Sequence, residues 1–268
     1  MAGKHGHEDK VLNCIGSREK EKDWMFENAR DAGLLDTRRK IPPEKDLREK
    51  WWGVGDQKKT GSCVGWALAD SVLRWHFVRA EWLPRNEMLS PRFIWMASKE
   101  TDDFVSQPTT FIEAEGTSLK AALDIARKFG VGWDSILPFS SEKLFPGEAK
   151  TFYAIASKLK IASYFNLGLE LDNWRKWLAT AGPVLIRVEV DDTWYNAAAN
   201  RGKLDVYRKR KGKDGQKMEG HAAALVGYTR TRFIIRNSWG TAWGDKGYAY
   251  ASFRYAESAF SEAYGVVL

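Results

Sequence analysis

Four side chains in this 268-residue sequence have the types and spacing for nucleophilic chemistry. Cys63 lies at the start of the helix-like run "GSCVGWALAD", where the free amides and the dipole of a helix N-terminus favour a thiolate. His221 opens the apolar run "HAAALVGY" and can serve that thiol as a base. Asn237 can fix the imidazole tautomer through its side-chain carbonyl. Gln57 can donate its amide hydrogen to an oxyanion, beside the backbone N–H of Cys63.

Each of these residues also has an ordinary structural interpretation. A single cysteine on an apolar helix usually packs as a small hydrophobic residue, and a strand histidine is usually a satisfied core or edge residue. Gln57 alone would be a surface amide, and "NSWG" (237–240) alone would be a turn. The prediction of chemistry therefore depends on the four residues occurring together.

The elements that must position these residues begin with helices. Apolar residues at helical spacing predict a long central helix, with Ser62 as its N-cap and Cys63 in its first turn. A second helix is predicted in "LSPRFIWMASKE", with Ser90 as cap and Pro91 at the first helical position. "TSLKAALDIARKFG" predicts a third, closed by Gly130. Two more are predicted in "EAKTFYAIASKLK" and "LDNWRKWLATAG".

The pattern changes to short β-prone runs after these helices. They are "PVLIRVEV" (183–190), "HAAALVGY" (221–228), "RFIIRNSW" (232–239) and "GYAYASF" (247–253). Helices followed by antiparallel strands predict an α+β fold of two lobes, with the site in the cleft between them. Residues 1–45 are charged, contain one possible short helix in "DWMFENARDAGLL", and are interpreted as an N-terminal extension.

Taken in order, these motifs resemble the papain-like cysteine peptidases. "DQKKTGSCVGWA" is similar to the family's Gln…Gly-Ser-Cys segment, "GHAAALVGY" to its histidine strand and "RNSWGTAWGDKGY" to its Asn-Ser-Trp-Gly segment. The resemblance covers about residues 46–268. It implies a papain-like two-lobed fold, with a helical lobe at about 46–165, an antiparallel β-barrel-like lobe at about 166–268, and the active-site cleft between them.

The resemblance also implies roles for individual residues. Cys63 would be the nucleophile, His221 the general acid/base, Asn237 the residue that orients the imidazole, and Gln57 the oxyanion donor. Two further residues would line the substrate site or shield the imidazole. These are Ala222 and Trp239, with Trp243 in the same aromatic wall.

Two departures from the family pattern stand beside the nucleophile. Val64 follows Cys63 where most members have an aromatic residue, and Thr60 replaces a cysteine that forms a disulfide in the family. The missing bridge indicates a cytosolic, bacterial-type branch. The extension is shorter than the usual inhibitory proregion, and its sequence leaves open whether it obstructs the cleft.

The chemistry that the resemblance implies is hydrolysis of peptide bonds through a thioester on Cys63. Paired with His221, this thiol would be a thiolate with a pKa of about 3 to 4, as in comparable pairs. The mechanism needs neither a cofactor nor a metal. Two alternatives remain: the same thioester used for acyl transfer or peptide ligation, and a non-catalytic module that binds protein with an occluded cleft.

Composition sets the remaining expectations. A hydrophobic content of 44% with only two cysteines predicts a globular protein without a disulfide framework. Neither a signal peptide nor a membrane span is recognisable, so a cytoplasmic location is expected. The net charge of +7 has much of its excess in "VYRKRKGKDGQK" (206–217). We interpret this tract as a solvated loop rather than a surface that binds nucleic acid or a membrane. The expected partner of the protein is a peptide or protein substrate. The oligomeric state and the preferred substrate side chain are left open.

Overall fold

A computed structural model describes residues 10–36, 40–101, 116–140, 149–209 and 220–268. The helices in these ranges are α1 (Phe26–Asp31), α2 (Cys63–Gly65), α3 (Arg74–Arg79), α4 (Pro91–Thr101), α5 (Leu119–Lys128), α6 (Ala149–Ala156), α7 (Leu171–Thr180), α8 (Asp192–Tyr195) and α9 (Phe253–Ala259). The strands are β1 (Cys14–Ile15), β2 (Lys45–Asp46), β3 (Thr117–Ser118), β4 (Ser163–Asn166), β5 (Val184–Glu189), β6 (Lys203–Leu204), β7 (Gly220–Tyr228), β8 (Arg232–Arg236), β9 (Tyr248–Ser252) and β10 (Phe260–Val267). A short 3₁₀ helix spans Lys20–Lys22.

The predicted central helix starts at Cys63 and is continuous to Arg79. It comprises α2, a π-helical stretch at Trp66–Leu73, and α3. The stretch from Cys63 to Leu73 is buried, and the helix packs on α4 and β7. A side chain at Gly65 would lie 2.2 Å from the carbonyl oxygen of Pro91, so glycine permits the close contact with α4.

The structure confirms one predicted helix cap and corrects the other. Ser90 caps α4, because its Oγ accepts the Phe93 amide hydrogen at 3.0 Å. Ser62 precedes the central helix but makes no side-chain cap. Its Oγ instead shares a hydrogen bond of 2.6 Å with the Thr60 hydroxyl. The hydroxyl of Ser62 is therefore bound to Thr60 instead of capping the helix as predicted.

One sheet holds most of the strands, in the order β4-β10-β5-β7-β8-β9-β6, with β2 added to β7. The four predicted runs are confirmed as β5, β7, β8 and β9. Neighbours are antiparallel except β6 and β9, which run parallel. Within the described residues β4 and β6 end the order, so the sheet is open and mixed. The α+β class is confirmed, whereas the barrel-like description is corrected to an open sheet.

A buried ion pair joins the central helix to this sheet. The Nη2 of Arg236, at the end of β8, donates to Asp70 Oδ2 at 2.7 Å, and its Nη1 donates to Ser71 Oγ at 2.6 Å. Asp70 also accepts from Arg74 Nη1 at 3.1 Å. Because Asn237 follows Arg236 directly, this pair fixes the strand end that carries Asn237 against the helix that begins at Cys63.

Two sequence expectations concern regions away from the site. Most of the basic tract at 206–217 lies outside the described residues, which stop at 209 and resume at 220. Across the described ranges, no helix has both the length and the apolar character needed to cross a membrane.

Candidate active site

The imidazole of His221 is held by one short hydrogen bond. Its Nε2 lies 2.7 Å from Oδ1 of Asn237, and both residues are buried. Because the amide oxygen can only accept, Nε2 carries the hydrogen, which leaves Nδ1 as the basic nitrogen of the neutral ring. Nδ1 is buried and has no hydrogen-bond partner among the described residues. The geometry thus provides a ring of fixed tautomer with one lone pair available.

Buried aromatic rings enclose this imidazole. The Trp239 ring lies 5.2 Å from the His221 ring, and the Trp194 ring lies 5.6 Å from it, both measured between centroids. Trp243 packs 4.9 Å from Trp194 and donates its Nε1 hydrogen to the Trp194 carbonyl oxygen. Sequence reasoning found Trp239 and Trp243 but missed Trp194. The available signal was Asp191, which caps α8 through the Trp194 amide.

The sulfur of Cys63 is fully buried beside the histidine strand. Its Sγ accepts hydrogen bonds from the backbone amides of Ala222, Asn13 and Val64. Ala222 directly follows His221 on β7, so the predicted nucleophile and the predicted base are brought to the same place. Ala222 contacts the sulfur through its main chain, and its predicted part in substrate binding stays a prediction.

The predicted oxyanion donor, Gln57, is also buried at this point. Its Oε1 accepts from Ser238 Oγ at 2.8 Å, which fixes the orientation of the amide. Its Nε2 donates to the carbonyl oxygen of Thr60 at 2.9 Å and to that of Val11 at 3.2 Å. The Thr60 hydroxyl donates back to the Gln57 carbonyl at 2.7 Å. Hydrogen bonds of Thr60 therefore organise the loop where the related enzymes were expected to have a disulfide.

The N-terminal extension crosses this site. We call residues 10–15 the cover segment. Lys10 Nζ pairs with Asp56 Oδ1 at 2.5 Å, the Val11 carbonyl accepts from Gln57, and the Asn13 amide donates to the sulfur of Cys63. At its other end the segment forms β1, which pairs with β3 in parallel. The question that the sequence left open is thus answered for these residues: they lie over the nucleophile and the oxyanion donor.

Burial beneath the cover segment sets the protonation of the pair. Burial raises the pKa of the Cys63 thiol above its usual value, although the backbone amides of Ala222, Asn13, Val64 and Cys63 itself act in the opposite direction. Burial also lowers the pKa of His221 to about 4, with a smaller contribution from the charge of Lys10 and opposed by the hydrogen bond to Asn237. Near neutral pH the covered site therefore holds a neutral thiol and a neutral imidazole. The low thiol pKa expected from the sequence is wrong for this covered state.

Comparison with known proteins shows what the chain is similar to as a whole. The profile described as "Papain family cysteine protease" matches residues 41–262. "Cathepsin B-like CP2" of Giardia intestinalis is 31% identical over 250 residues, covering 84% of this chain and 74% of that protein. "Cysteine endopeptidase RepA" of Oryza sativa subsp. japonica is 25% identical over 218 residues and 78% of this chain. The chain spans about half, 51%, of the length of that rice protein.

A solved structure shows that the fold is shared. Xylellain, a cysteine protease from Xylella fastidiosa, superposes with a TM-score of 0.75 at 21% sequence identity. The match covers 97% of this chain and 96% of that one. The arrangement of helices and mixed sheet around the site is therefore a papain-like fold.

Proposed function

Because the chain belongs to the papain family of cysteine proteases, we propose that it hydrolyses peptide bonds through a thioester on Cys63. One observation carries the proposal. The Cys63 sulfur accepts the amide hydrogen of Ala222, the residue next to His221, while the imidazole Nε2 is bound to Asn237 at 2.7 Å. A nucleophile, a base and an orienting amide thus converge at one point of the molecule.

The proposed reaction begins when the cover segment leaves. Exposure removes the burial that raises the Cys63 pKa and lowers the His221 pKa, so proton transfer from sulfur to Nδ1 becomes favourable. The thiolate then attacks the substrate carbonyl carbon, and His221 protonates the departing amine. Water, deprotonated by His221, hydrolyses the thioester and restores the thiol.

The oxyanion would bind where the Val11 carbonyl now accepts from Gln57. The Nε2 of Gln57 already donates to this carbonyl at 3.2 Å, and its orientation is fixed by Ser238. A donor that is held before the reaction stabilises developing charge without reorganisation, which is typically worth about 10²- to 10³-fold in rate. In this proposal the Val11 carbonyl occupies the donor in the covered state, and the substrate oxygen replaces it.

We also propose the division of the chain and its cellular setting. Residues 1–45 are the extension, and 46–268 the catalytic domain, with lobes at about 46–165 and 166–268; the family match from residue 41 supports the first boundary. A thiol-reducing, cytoplasmic setting is supported by the two cysteines, which are both free thiols. Similarity to a Xylella protease over nearly the whole chain supports the bacterial-type branch.

The test is turnover of a fluorogenic peptide library by the reduced full-length chain and by its Cys63→Ala variant. We expect the variant to lose at least about 10³-fold in kcat/KM, because no other group supplies the acyl-enzyme. Its melting temperature should change little, since few atoms are removed. Cleavage that persists in Cys63→Ala at a similar rate would falsify the assignment of the nucleophile.

The cover segment favours one second candidate, a non-catalytic module with an occluded cleft. Lys10, Val11 and Asn13 contact Asp56, Gln57 and Cys63, respectively, so an uncovered site is not the resting state. Iodoacetamide labelling of Cys63 in the native chain separates the two functions. A peptidase requires labelling that proceeds slowly to completion and removes turnover in parallel. A chain whose Cys63 is labelled only after unfolding in urea would be the occluded module.

A further inference from the structure

Both cysteines of the chain lie at the covered site. Cys14, in the cover segment, is 1% exposed and Cys63 is fully buried, and both are free thiols. The Asn13 amide donates to the sulfur of Cys63. Cys14 is the next residue, and neighbouring Cα atoms are about 3.8 Å apart. The backbone that covers the nucleophile therefore carries the second cysteine one residue from its contact with the Cys63 sulfur.

The electrostatics agree with the placement of both thiols at the covered site. Burial raises the pKa of Cys14 well above its usual value, and Cys63 is the next largest cause. Cys63 acts on this thiol more strongly than Arg187, whose Nε donates to the carbonyl oxygen of Cys14 itself at 2.9 Å. The two thiols therefore interact electrostatically in the covered state, in agreement with the contact of the neighbouring Asn13 amide with the Cys63 sulfur.

The backbone of Cys14 is fixed on more than one side. Cys14 pairs with Thr117 between β1 and β3, and its carbonyl is bound by Arg187. Three residues on, the Ser17 amide donates to Oε1 of the buried Glu262 at 2.9 Å. Each closure of the cover segment therefore returns the Cys14 thiol to the same position, which gives it a high effective concentration at Cys63.

We propose that Cys14 and Cys63 form a reversible disulfide that locks the cover segment over the nucleophile when a low-molecular-weight disulfide oxidises the protein. The proposal rests on the proposed function in taking Cys63 as the reactive thiol. The proposal adds a redox modification site at Cys63. The closed cover segment shields this thiol from the oxidant, and the open segment exposes it.

The chemistry balances as two successive thiol–disulfide exchanges. When the segment lifts, the Cys63 thiolate attacks one sulfur of the oxidant RSSR, forms Cys63–S–SR and releases RS⁻, which takes up a proton. As the segment returns, and before Cys14 is buried, its thiol passes its proton to solvent, and the thiolate attacks the Cys63 sulfur of the mixed disulfide. The Cys14–Cys63 disulfide forms and the second RS⁻ is released and takes up a proton. Two protein thiols are thereby oxidised by two electrons, and one RSSR is reduced to two RSH.

The lock would also protect the nucleophile. A thiolate exposed to peroxide advances from sulfenic to sulfinic acid, and the latter step is generally irreversible, whereas a disulfide is restored by thiols. When the cover segment returns Cys14 to the site, its thiol converts the sulfenic acid on Cys63 into a disulfide and releases water. Thiols can then reduce that disulfide. We therefore expect oxidation to lower activity in a way that dithiothreitol reverses.

The experiment treats the full-length reduced chain with oxidised glutathione, blocks remaining thiols with iodoacetamide, and maps peptides by mass spectrometry without reduction. We expect a cross-linked peptide pair joining Cys14 to Cys63, loss of turnover, and recovery of both with dithiothreitol. Cys14→Ala is the matched variant, and Cys14→Ser serves if alanine prevents folding. In either variant, Cys63 should instead carry glutathione as a mixed disulfide.

The outcomes separate this inference from the proposed function. Wild-type chain with glutathione on Cys63 and a free Cys14, or with neither thiol modified, overturns the lock, even if the reduced chain is an active peptidase. Disulfides found only between two copies of the chain also overturn it. Conversely, the intramolecular link in a chain that cleaves no peptide in its reduced form would keep the lock and reject the peptidase.

Discussion

The two halves of the candidate site are built differently. The imidazole half is part of the folded core: His221 is bound by Asn237 and enclosed by Trp239 and Trp194, all of them buried. The sulfur half is closed by the cover segment, through backbone hydrogen bonds and one ion pair that is partly exposed at Asp56. The comparison indicates that the base is built in permanently, whereas access to the nucleophile depends on contacts that the chain can break.

The largest expected effect on stability comes from breaking the buried ion pair between Asp70 and Arg236, which anchors the imidazole half of the site. Asp70→Ala leaves Arg236 charged, buried and without its carboxylate, beside Asn237. Removing one partner of a buried ion pair typically costs about 3 to 5 kcal/mol. We expect a loss of this size in the free energy of unfolding, measured by urea titration. The companion residue Arg74 loses the same partner, which adds to the loss.

Asp172→Ala is the matched control for that substitution. Asp172 pairs with Arg175 at 3.1 Å, but its side chain is 69% exposed. Exposed pairs contribute about 0 to 1 kcal/mol, so this variant should unfold near the wild-type denaturant concentration. Equal losses in the two variants would show that the pair at Arg236 is not the anchor described here.

A smaller effect concerns the pH dependence of stability. Burial lowers the pKa of His221 in the folded protein to about 4, below the usual value of 6.5. Stability from the neutral ring is therefore fully present above pH 6.5 and is lost as the pH falls towards 4. Between pH 7 and pH 5 the loss is about 2 kcal/mol for one such group. His76, whose pKa burial also lowers to about 4, should contribute a similar loss.

His221→Gln isolates the contribution of the site. Glutamine does not titrate, so the variant should lose about half as much stability as wild type between these two pH values, with His76 supplying the rest. Urea unfolding of both proteins at each pH measures the difference. Identical losses in the two proteins would contradict a buried, neutral His221 in the folded state.

The sequence was informative wherever local chemistry and periodicity agreed. Helical spacing predicted the start of the central helix at Cys63, and the β-prone run after residue 220 predicted the strand that carries His221. These elements are local, so the pattern in a short window was enough. The π-helical stretch at Trp66–Leu73 was not predicted, because apolar spacing does not distinguish i→i+5 from i→i+4 hydrogen bonding.

Other features depend on contacts between distant segments. The strand β10 was missed because it is buried on both faces, which removes the alternation that marks a strand, and because it contains Glu262. That charge is tolerated through the amide of Ser17 in the extension. The cover segment was equally invisible, since its contacts with Gln57 and Cys63 are made by main-chain atoms, which every residue possesses.

The smallest expected effect, and the most direct test of the comparison, is Lys10→Ala. It removes the ion pair between the cover segment and Asp56, a carboxylate whose pKa is lowered by Lys10 and Lys58 although burial alone would raise it. Asp56 keeps the backbone amide of Lys58 at 2.8 Å, so the loss is that of a partly exposed pair, about 1 kcal/mol. This corresponds to about a fivefold larger open population.

Iodoacetamide reaches Cys63 only when the cover segment opens, so its labelling rate measures that population. We expect the rate to rise about fivefold in Lys10→Ala, and the free energy of unfolding to fall by the same amount of about 1 kcal/mol, because the closed state is the folded ground state. Lys22→Ala is the control, since Lys22 makes an exposed pair with Glu19 and lies outside the cover segment. A faster reaction in both variants would mean that charge on the extension, rather than the contact with Asp56, holds the segment closed. An unchanged rate in Lys10→Ala would mean that the main-chain contacts of Val11 and Asn13 hold it without the ion pair.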